Sequence, residues 1–214
     1  MTTITLQNVV PEFLESEKIE HSGIWNKQII INKGEKLQII APSGRGKTSL
    51  IHFLYGLRKD YKGDIYFDNK NIDSFSTEDF AGYRSKNISI IFQDLRLFPA
   101  HAANENINIK RLLKPFHPAS NIREMAKRLG IASKLDQLSQ TCSYGEQQRI
   151  AIIRALQQPF DFLLMDEPFS HLDDTNRQKA MELIEEEAAK RNATIILADL
   201  KPREYFKAGS ILLL

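Results

Sequence analysis

Ala41-Pro42-Ser43-Gly44-Arg45-Gly46-Lys47-Thr48 follows the apolar run Leu37 to Ala41 and precedes a helical stretch from Ser49 to Tyr55, so a glycine-rich turn joins a buried strand to a helix. Such a turn cradles phosphate. Gly44 and Gly46 let backbone N–H groups close around phosphate oxygens, and the helix N-terminus adds the positive end of its dipole. Lys47 is spaced to reach the β- and γ-phosphates, and the Thr48 hydroxyl to ligate Mg²⁺. The segment Ser43, Gly44, Arg45, Gly46, Lys47, Thr48 and Ser49 is therefore expected to hold a nucleotide. One departure from Gly-x-x-x-x-Gly-Lys-[Ser/Thr] is Ala41 in place of the first glycine. That position ends the strand, furthest from the phosphates.

The 214 residues, 42% hydrophobic and 26% charged, suffice for one sizeable core or a core with an inserted subdomain. Twenty-nine Lys and Arg against 27 Asp and Glu leave a net charge of +2, so only local charge can support binding to nucleic acid or an anionic surface. A single cysteine, Cys142, excludes an internal disulfide and fits a reducing compartment. The first residues, Met1 to Leu6, have no basic segment followed by an apolar stretch, which argues against a signal peptide. No run reaches the roughly 18 to 20 apolar residues that span a bilayer. Any membrane spans are expected from another chain.

Ile4 to Val10 alternates as a strand does, and Gln28 to Asn32, Leu37 to Ala41, Gly63 to Asp68 and Ile88 to Phe92 read as further strands. Leu50, Phe53, Leu54 and Leu57 recur at helical spacing, with Gly56 near the end of that helix. From Asp94 to Gln158 the character is helical, with helices over Asn121 to Leu129 and Glu146 to Gln158 and a break bracketed by Pro115 and Pro118. Strand periodicity returns at Phe160 to Met165 and Ala193 to Ala198, joined by a charged helix from Thr175 to Arg191. Helices alternating with apolar strands imply a parallel, doubly covered sheet.

Phe162 to Glu167 is a buried strand ending in two carboxylates. Two acids at a strand end also serve as an ordinary turn or helix cap. Beside a phosphate cradle they acquire chemistry: Asp166 would hold Mg²⁺ opposite Thr48, because a hard cation takes oxygen ligands, and Glu167 would act as general base on the attacking water.

Cys142-Ser143-Tyr144-Gly145-Glu146-Gln147-Gln148-Arg149 resembles the Leu-Ser-Gly-Gly-Glu-Gln-Gln-Arg signature of ATP-binding cassette (ABC) ATPases. The order of cradle, Gln93, signature, acidic strand and Ser170-His171-Leu172-Asp173 is similar to that family over nearly the whole chain. The resemblance implies that Ser143, Gly145 and Glu146 meet the γ-phosphate of ATP on an opposite subunit, in a head-to-tail dimer with two sandwiched nucleotides. It also implies that Gln93 senses Mg²⁺ and the attacking water and links to a membrane partner, and that Phe13, after Asn8-Val9, stacks on adenine. Gln93-Asp94-Leu95-Arg96-Leu97-Phe98-Pro99 is similar to the lipoprotein-release, macrolide-export and cell-division branch.

Besides Ala41, four residues depart from the family pattern, one of them Cys142 in place of the signature leucine, a packing change. Ala198 stands where the resemblance expects a switch histidine before an aspartate, Tyr144 replaces a signature glycine and His171 occupies a usually small position. Tight ATP binding with slow turnover is the expectation.

The expected fold is α/β, a P-loop NTPase core of mixed sheet flanked by helices, with an antiparallel N-terminal portion. Residues 1–214 are expected to form one ABC ATPase domain, core 1–93 and 159–214, with an inserted helical subdomain at about 94–158. The implied function is the ATP-hydrolysing subunit of an ABC transporter, with ATP and Mg²⁺ as cofactors. It would work with a separately encoded transmembrane subunit, as a homodimer or paired with a related ATPase, peripheral on the cytoplasmic face of the inner or plasma membrane. A slow or hydrolysis-independent ATP-gated regulatory subunit is the alternative. Nucleic acid is not an expected partner, since soluble ABC ATPases of that kind usually fuse two cassettes or carry a coiled coil.

Overall fold

A computed structural model describes residues 1–214. Two sheets divide the strands by their sequence character. The alternating strands β1 (Thr3–Pro11) and β2 (Gln28–Asn32) join β4 (Tyr61–Phe67) and the short β5 (Lys70–Asn71) in an antiparallel sheet of order β2-β1-β4-β5. The uniformly apolar strands form an all-parallel sheet. β3 (Lys36–Ile40), β6 (Ile88–Ile91), β7 (Phe162–Asp166), β8 (Thr194–Asp199) and β9 (Ser210–Leu213) lie in the order β6-β7-β8-β3-β9. Burial on both faces is what lets β6, β7 and β8 read as continuous apolar runs.

Each face of the parallel sheet has its own core, sorted by the two-residue period of the strands. Leu163, Met165, Ile195 and Leu197 face a cluster of 29 buried residues that includes α4 (Ala103–Leu113), α5 (Ser120–Arg128), α6 (Tyr144–Ala155) and α7 (Asp174–Ala189). Phe162, Leu164, Ile196 and Ala198 face a second cluster of 26, shared with the antiparallel sheet, α2 (Lys47–Leu54) and α3 (Thr77–Lys86). The helices expected within 94–158 thus pack on the same core as α7.

Most expected elements form within two residues of their bounds; α6 (Tyr144–Ala155) is an exception, stopping three residues short of the expected Gln158. α2 begins at Lys47 rather than Ser49, directly after the left-handed Gly46. Leu57, placed by spacing on its apolar face, lies beyond its end and is 38% exposed. The five-residue helix α1 (Ser16–Glu20), α3 and β9 were not expected from periodicity. α3 starts at a capping box, in which the Ser76 hydroxyl accepts from the Asp79 N–H and the Asp79 carboxylate accepts from Ser76.

Candidate functional site

The cradle sits where β3 runs into α2, at the carboxyl end of the parallel sheet. Gly44 and Gly46 have φ of 77° and 97°, the region in which a side chain is strained. Gly46 has a second constraint: a Cβ there would lie 2.9 Å from the buried indole of Trp25, whose ring N–H donates to the Arg45 carbonyl at 3.2 Å. Trp25 therefore shapes the loop from beneath, a role that sequence spacing did not reveal. Gly46 opens α2 with no side-chain cap, so the amides of the first turn face the cleft without a protein acceptor from a cap. Ala41 is buried in the core and its N–H donates to the Asp199 carbonyl at 3.2 Å, so a methyl is accommodated there.

Lys47 is 5% exposed and its Nζ donates to the carbonyls of Ala41 at 2.8 Å and Pro42 at 3.2 Å. The Glu167 carboxylate stands 3.5 Å from the same ammonium. Glu167 follows β7 in a left-handed turn, φ 44°, fixed by donation of its N–H to the Ala198 carbonyl at 2.9 Å. Asp166, the last residue of β7, is 1% exposed and its Oδ1 has no hydrogen-bond partner. Burial pushes its carboxyl up to about 6, opposed by the Thr48 hydroxyl and the Lys47 charge and reinforced by Glu167. An orphaned carboxylate oxygen beside a threonine hydroxyl and the Gln93 amide is a set of oxygen donors that fits Mg²⁺.

A cleft of about 290 Å³ gathers Phe13, Ser43, Gly44, Gly46, Lys47, Thr48, Ser49, Gln93, Glu167 and Leu200. Of the expected binding residues, Arg45 is absent from this lining; its carbonyl holds Trp25 instead. Phe13 is 51% exposed and carries the Arg58 guanidinium 4.8 Å from its ring centroid, while Arg58 donates to the Ser49 hydroxyl at 3.0 Å and pairs with Asp60. Arg58 ties the aromatic to the cradle. It carries no motif in the sequence.

The turn that opens α6 lies outside this lining. Ser143 caps α6: its hydroxyl accepts from the Glu146 N–H at 3.3 Å, and the Glu146 carboxylate accepts from the Ser143 N–H at 2.7 Å while standing 3.4 Å from Lys134. Ser143, Gly145 and Glu146 are thus held together as one helix terminus and do not reach the cradle of their own chain. A neighbouring cleft of about 360 Å³ joins Thr48, His52, Gln93, Asp94 and Asp166 to Tyr144 and His171.

Ala198 does not face the cradle. Its side chain is fully buried inside β8, in register with Asp166, and the residue of this segment that lines the cleft is Leu200, 47% exposed. The residue that reaches the cleft is set by where β8 stops, because the strand continues through Asp199 before the chain turns. Asp199 sets that turn: it accepts the Leu200 N–H at 2.6 Å and a two-pronged Arg203 guanidinium at 2.7 Å for each prong. An apolar side chain, rather than an imidazole, therefore stands at the cradle mouth. No helix is long and apolar enough to cross a membrane.

Comparison with known proteins gives one family. Residues 26–170 match the family described as ABC transporter. The glucose import ATP-binding protein GlcV of Saccharolobus solfataricus is 31% identical over 211 residues, 96% of this chain and 58% of GlcV. The lipoprotein-releasing system ATP-binding protein LolD of Syntrophotalea carbinolica is 32% identical over 170 residues, 78% of this chain and 75% of LolD. This chain thus spans little more than half of GlcV but three quarters of LolD. The dimeric, post-hydrolysis structure of the ATP-binding cassette MJ0796 bound to ADP and Pi superposes with a TM-score of 0.79 at 25% identity, covering 92% of this chain and 88% of that one.

Proposed function

This chain belongs to the ABC transporter family, and from that premise we propose that it is the subunit that binds and hydrolyses ATP for separately encoded membrane subunits. The observation that carries the reading is the convergence, at two strand ends, of a buried Lys47, the partnerless Asp166 oxygen and the Glu167 carboxylate around a glycine loop with open amides. The amides from Ser43 to Ser49 and the Lys47 ammonium bind the β- and γ-phosphates, and Phe13 offers its face opposite Arg58 to the adenine ring. Thr48, Gln93 and Asp166 hold Mg²⁺. The ion, when bound, neutralises charge on the phosphate oxygens. Glu167 orients the attacking water and takes its proton.

Ser143 and Gly145 serve the nucleotide of a second copy or a related ATPase, because neither lines the cradle of its own chain, although Tyr144 between them borders the neighbouring cleft. Closure of the two copies on ATP drives the membrane subunits, at the cytoplasmic face of the membrane. Turnover is slow, since Leu200 offers no hydrogen bond to the γ-phosphate and Tyr144 adds a ring to the turn that must approach it.

Calorimetric titration with ATP and Mg²⁺ tests the reading. Wild type binds; Lys47→Ala loses about tenfold to a hundredfold in affinity, the loss of a hydrogen bond to charged oxygens. Glu167→Gln binds ATP, dimerises and does not hydrolyse. A wild-type chain without nucleotide affinity, or a Glu167→Gln variant with undiminished hydrolysis, overturns it.

A further inference from the structure

Leu112 and Leu113, in the last turn of α4, are the two most exposed large apolar side chains of the protein, at 73% and 67%. Phe116, three residues on, is 40% exposed. This is a built tip, not a frayed end. The Phe116 N–H donates to the Gln157 carbonyl at 3.1 Å, its ring lies 3.5 Å from the Arg191 guanidinium, and His117 Nε2 is 2.5 Å from the Glu187 carboxylate of α7.

Its charge is of one sign. From Asn106 to Ile122 the chain carries Arg111 and Lys114 beside the leucines and no Asp or Glu, while the Lys110 amine turns inward to donate to the Tyr55 hydroxyl at 3.3 Å. The acid beneath, Glu187, is 1% exposed and consumed by Lys190 at 2.7 Å and Arg191 at 2.6 Å. A protein that is nearly neutral overall, at +2, therefore exposes large apolar side chains next in sequence to Arg111 and Lys114, with no carboxylate among them. Exposed leucines flanked by cations suit a surface that is apolar just beneath a layer of phosphates. Leucines partition into the boundary between headgroups and acyl chains, while lysine and arginine lay their stems along it and keep their charges at lipid phosphate.

We propose that the α4–α5 tip is a contact site for an anionic lipid surface, with Leu112 and Leu113 entering the headgroup boundary and Arg111 and Lys114 pairing with lipid phosphates. The site is separate from the nucleotide cleft, so nucleotide affinity reports on the one and vesicle binding on the other.

The test is co-sedimentation of the whole chain with vesicles of phosphatidylcholine alone, and of phosphatidylcholine containing about one-third phosphatidylglycerol, a composition that gives the surface a strong negative potential. Binding is expected to the anionic vesicles only and to weaken as salt rises. The double variant Leu112→Gln/Leu113→Gln lowers that binding roughly tenfold, and Arg111→Gln/Lys114→Gln lowers it and flattens its salt dependence. Both variants keep the wild-type melting temperature and ATP affinity, since the altered side chains are largely in water. Equal binding to both vesicles, no binding at low salt, or binding indifferent to both variants overturns the proposal. So does capture of a membrane protein that needs the tip when vesicles do not bind.

Discussion

The rings of Tyr144 and His171 meet at 4.1 Å between centroids, tilted by 58°. Both residues depart from the pattern of the family, and they depart in the same place. Tyr144 begins α6 and His171 precedes α7, so the stack joins the two helix termini beside Thr48 and Asp166. The Gln148 side chain adds a second tie, accepting the His171 N–H at 3.2 Å. Removing the ring with Tyr144→Ala is expected to raise ATP turnover roughly tenfold, a barrier change of about 1.4 kcal/mol, by freeing the turn that approaches the phosphate. Affinity of the isolated subunit for ATP stays unchanged. Steady-state hydrolysis alongside calorimetry checks both; an unchanged turnover removes Tyr144 as a brake.

Leu200 and Ala198 give opposite results when replaced by histidine. At Leu200 an imidazole would enter the cleft, and turnover is expected to rise about tenfold to a hundredfold, the worth of one hydrogen bond to a charged group. Ala198 is fully buried between sheet and helix, so Ala198→His overpacks the core and buries a polar ring, costing about 3 kcal/mol or more of stability. Thermal unfolding separates the pair: a stable Ala198→His protein contradicts the assignment.

Asp166 imposes a pH dependence on stability when no divalent ion is present. Its folded carboxyl, at about 6, lies above the ordinary 3.8, so the folded state holds the proton more tightly than the unfolded chain. Stability from this group therefore falls as pH rises between these values, and the penalty, about 3 kcal/mol, is complete above them. Asp166→Asn is expected to stabilise the metal-free protein near pH 8 and to have little effect near pH 3, below both values. Mg²⁺ raises the melting temperature of wild type and leaves that of Asp166→Asn unchanged. Denaturant titrations in chelator at the two pH values check the sign.

Glu187 is the centre of a buried ionic knot. Burial pushes its carboxyl up, but hydrogen bonds from Lys190, Arg191 and His117 outweigh this and hold it below the usual range. Replacing it with Gln leaves the Arg191 guanidinium, which also donates to the Leu156 carbonyl at 2.8 Å, without its counter-charge. A loss of about 3 kcal/mol is expected, read from chemical denaturation. A loss below about 1 kcal/mol would mean that the knot is worth no more than a surface pair.

How much was legible depended on how local the cause was. The cradle was legible because its residue types are dictated within eight positions by phosphate geometry. Asp166 and Glu167 were legible as a strand end once that cradle was in hand. Phe13 could be placed at the cleft, but not the Arg58 that holds its other face, because Arg58 carries no periodic or motif signal. β9 was missed since its four residues show no alternation, and its strand character comes from pairing with β3. α3 was missed for a different reason: its exposed face is polar almost throughout, with Phe80 its single buried residue, so periodicity is silent and only the Ser76-Asp79 cap marks it. Which residue past β8 reaches the cleft is decided where sequence gives least, at the position on which a buried strand stops.

Arg154 sits at the far end of α6 from Ser143 and Tyr144, and both prongs of its guanidinium grip main-chain carbonyls just past Gln93: Leu95 at 2.5 Å and Arg96 at 2.6 Å. Those two residues are themselves consecutive in left-handed backbone, with φ of 59° and 47°. The 12 residues of α6 make a rigid strut about 18 Å long between the two ends. One helix thus carries the Ser143 cap at its start and, at its end, the anchor of the backbone that follows Gln93, so the cap and that loop are held by a single rigid element.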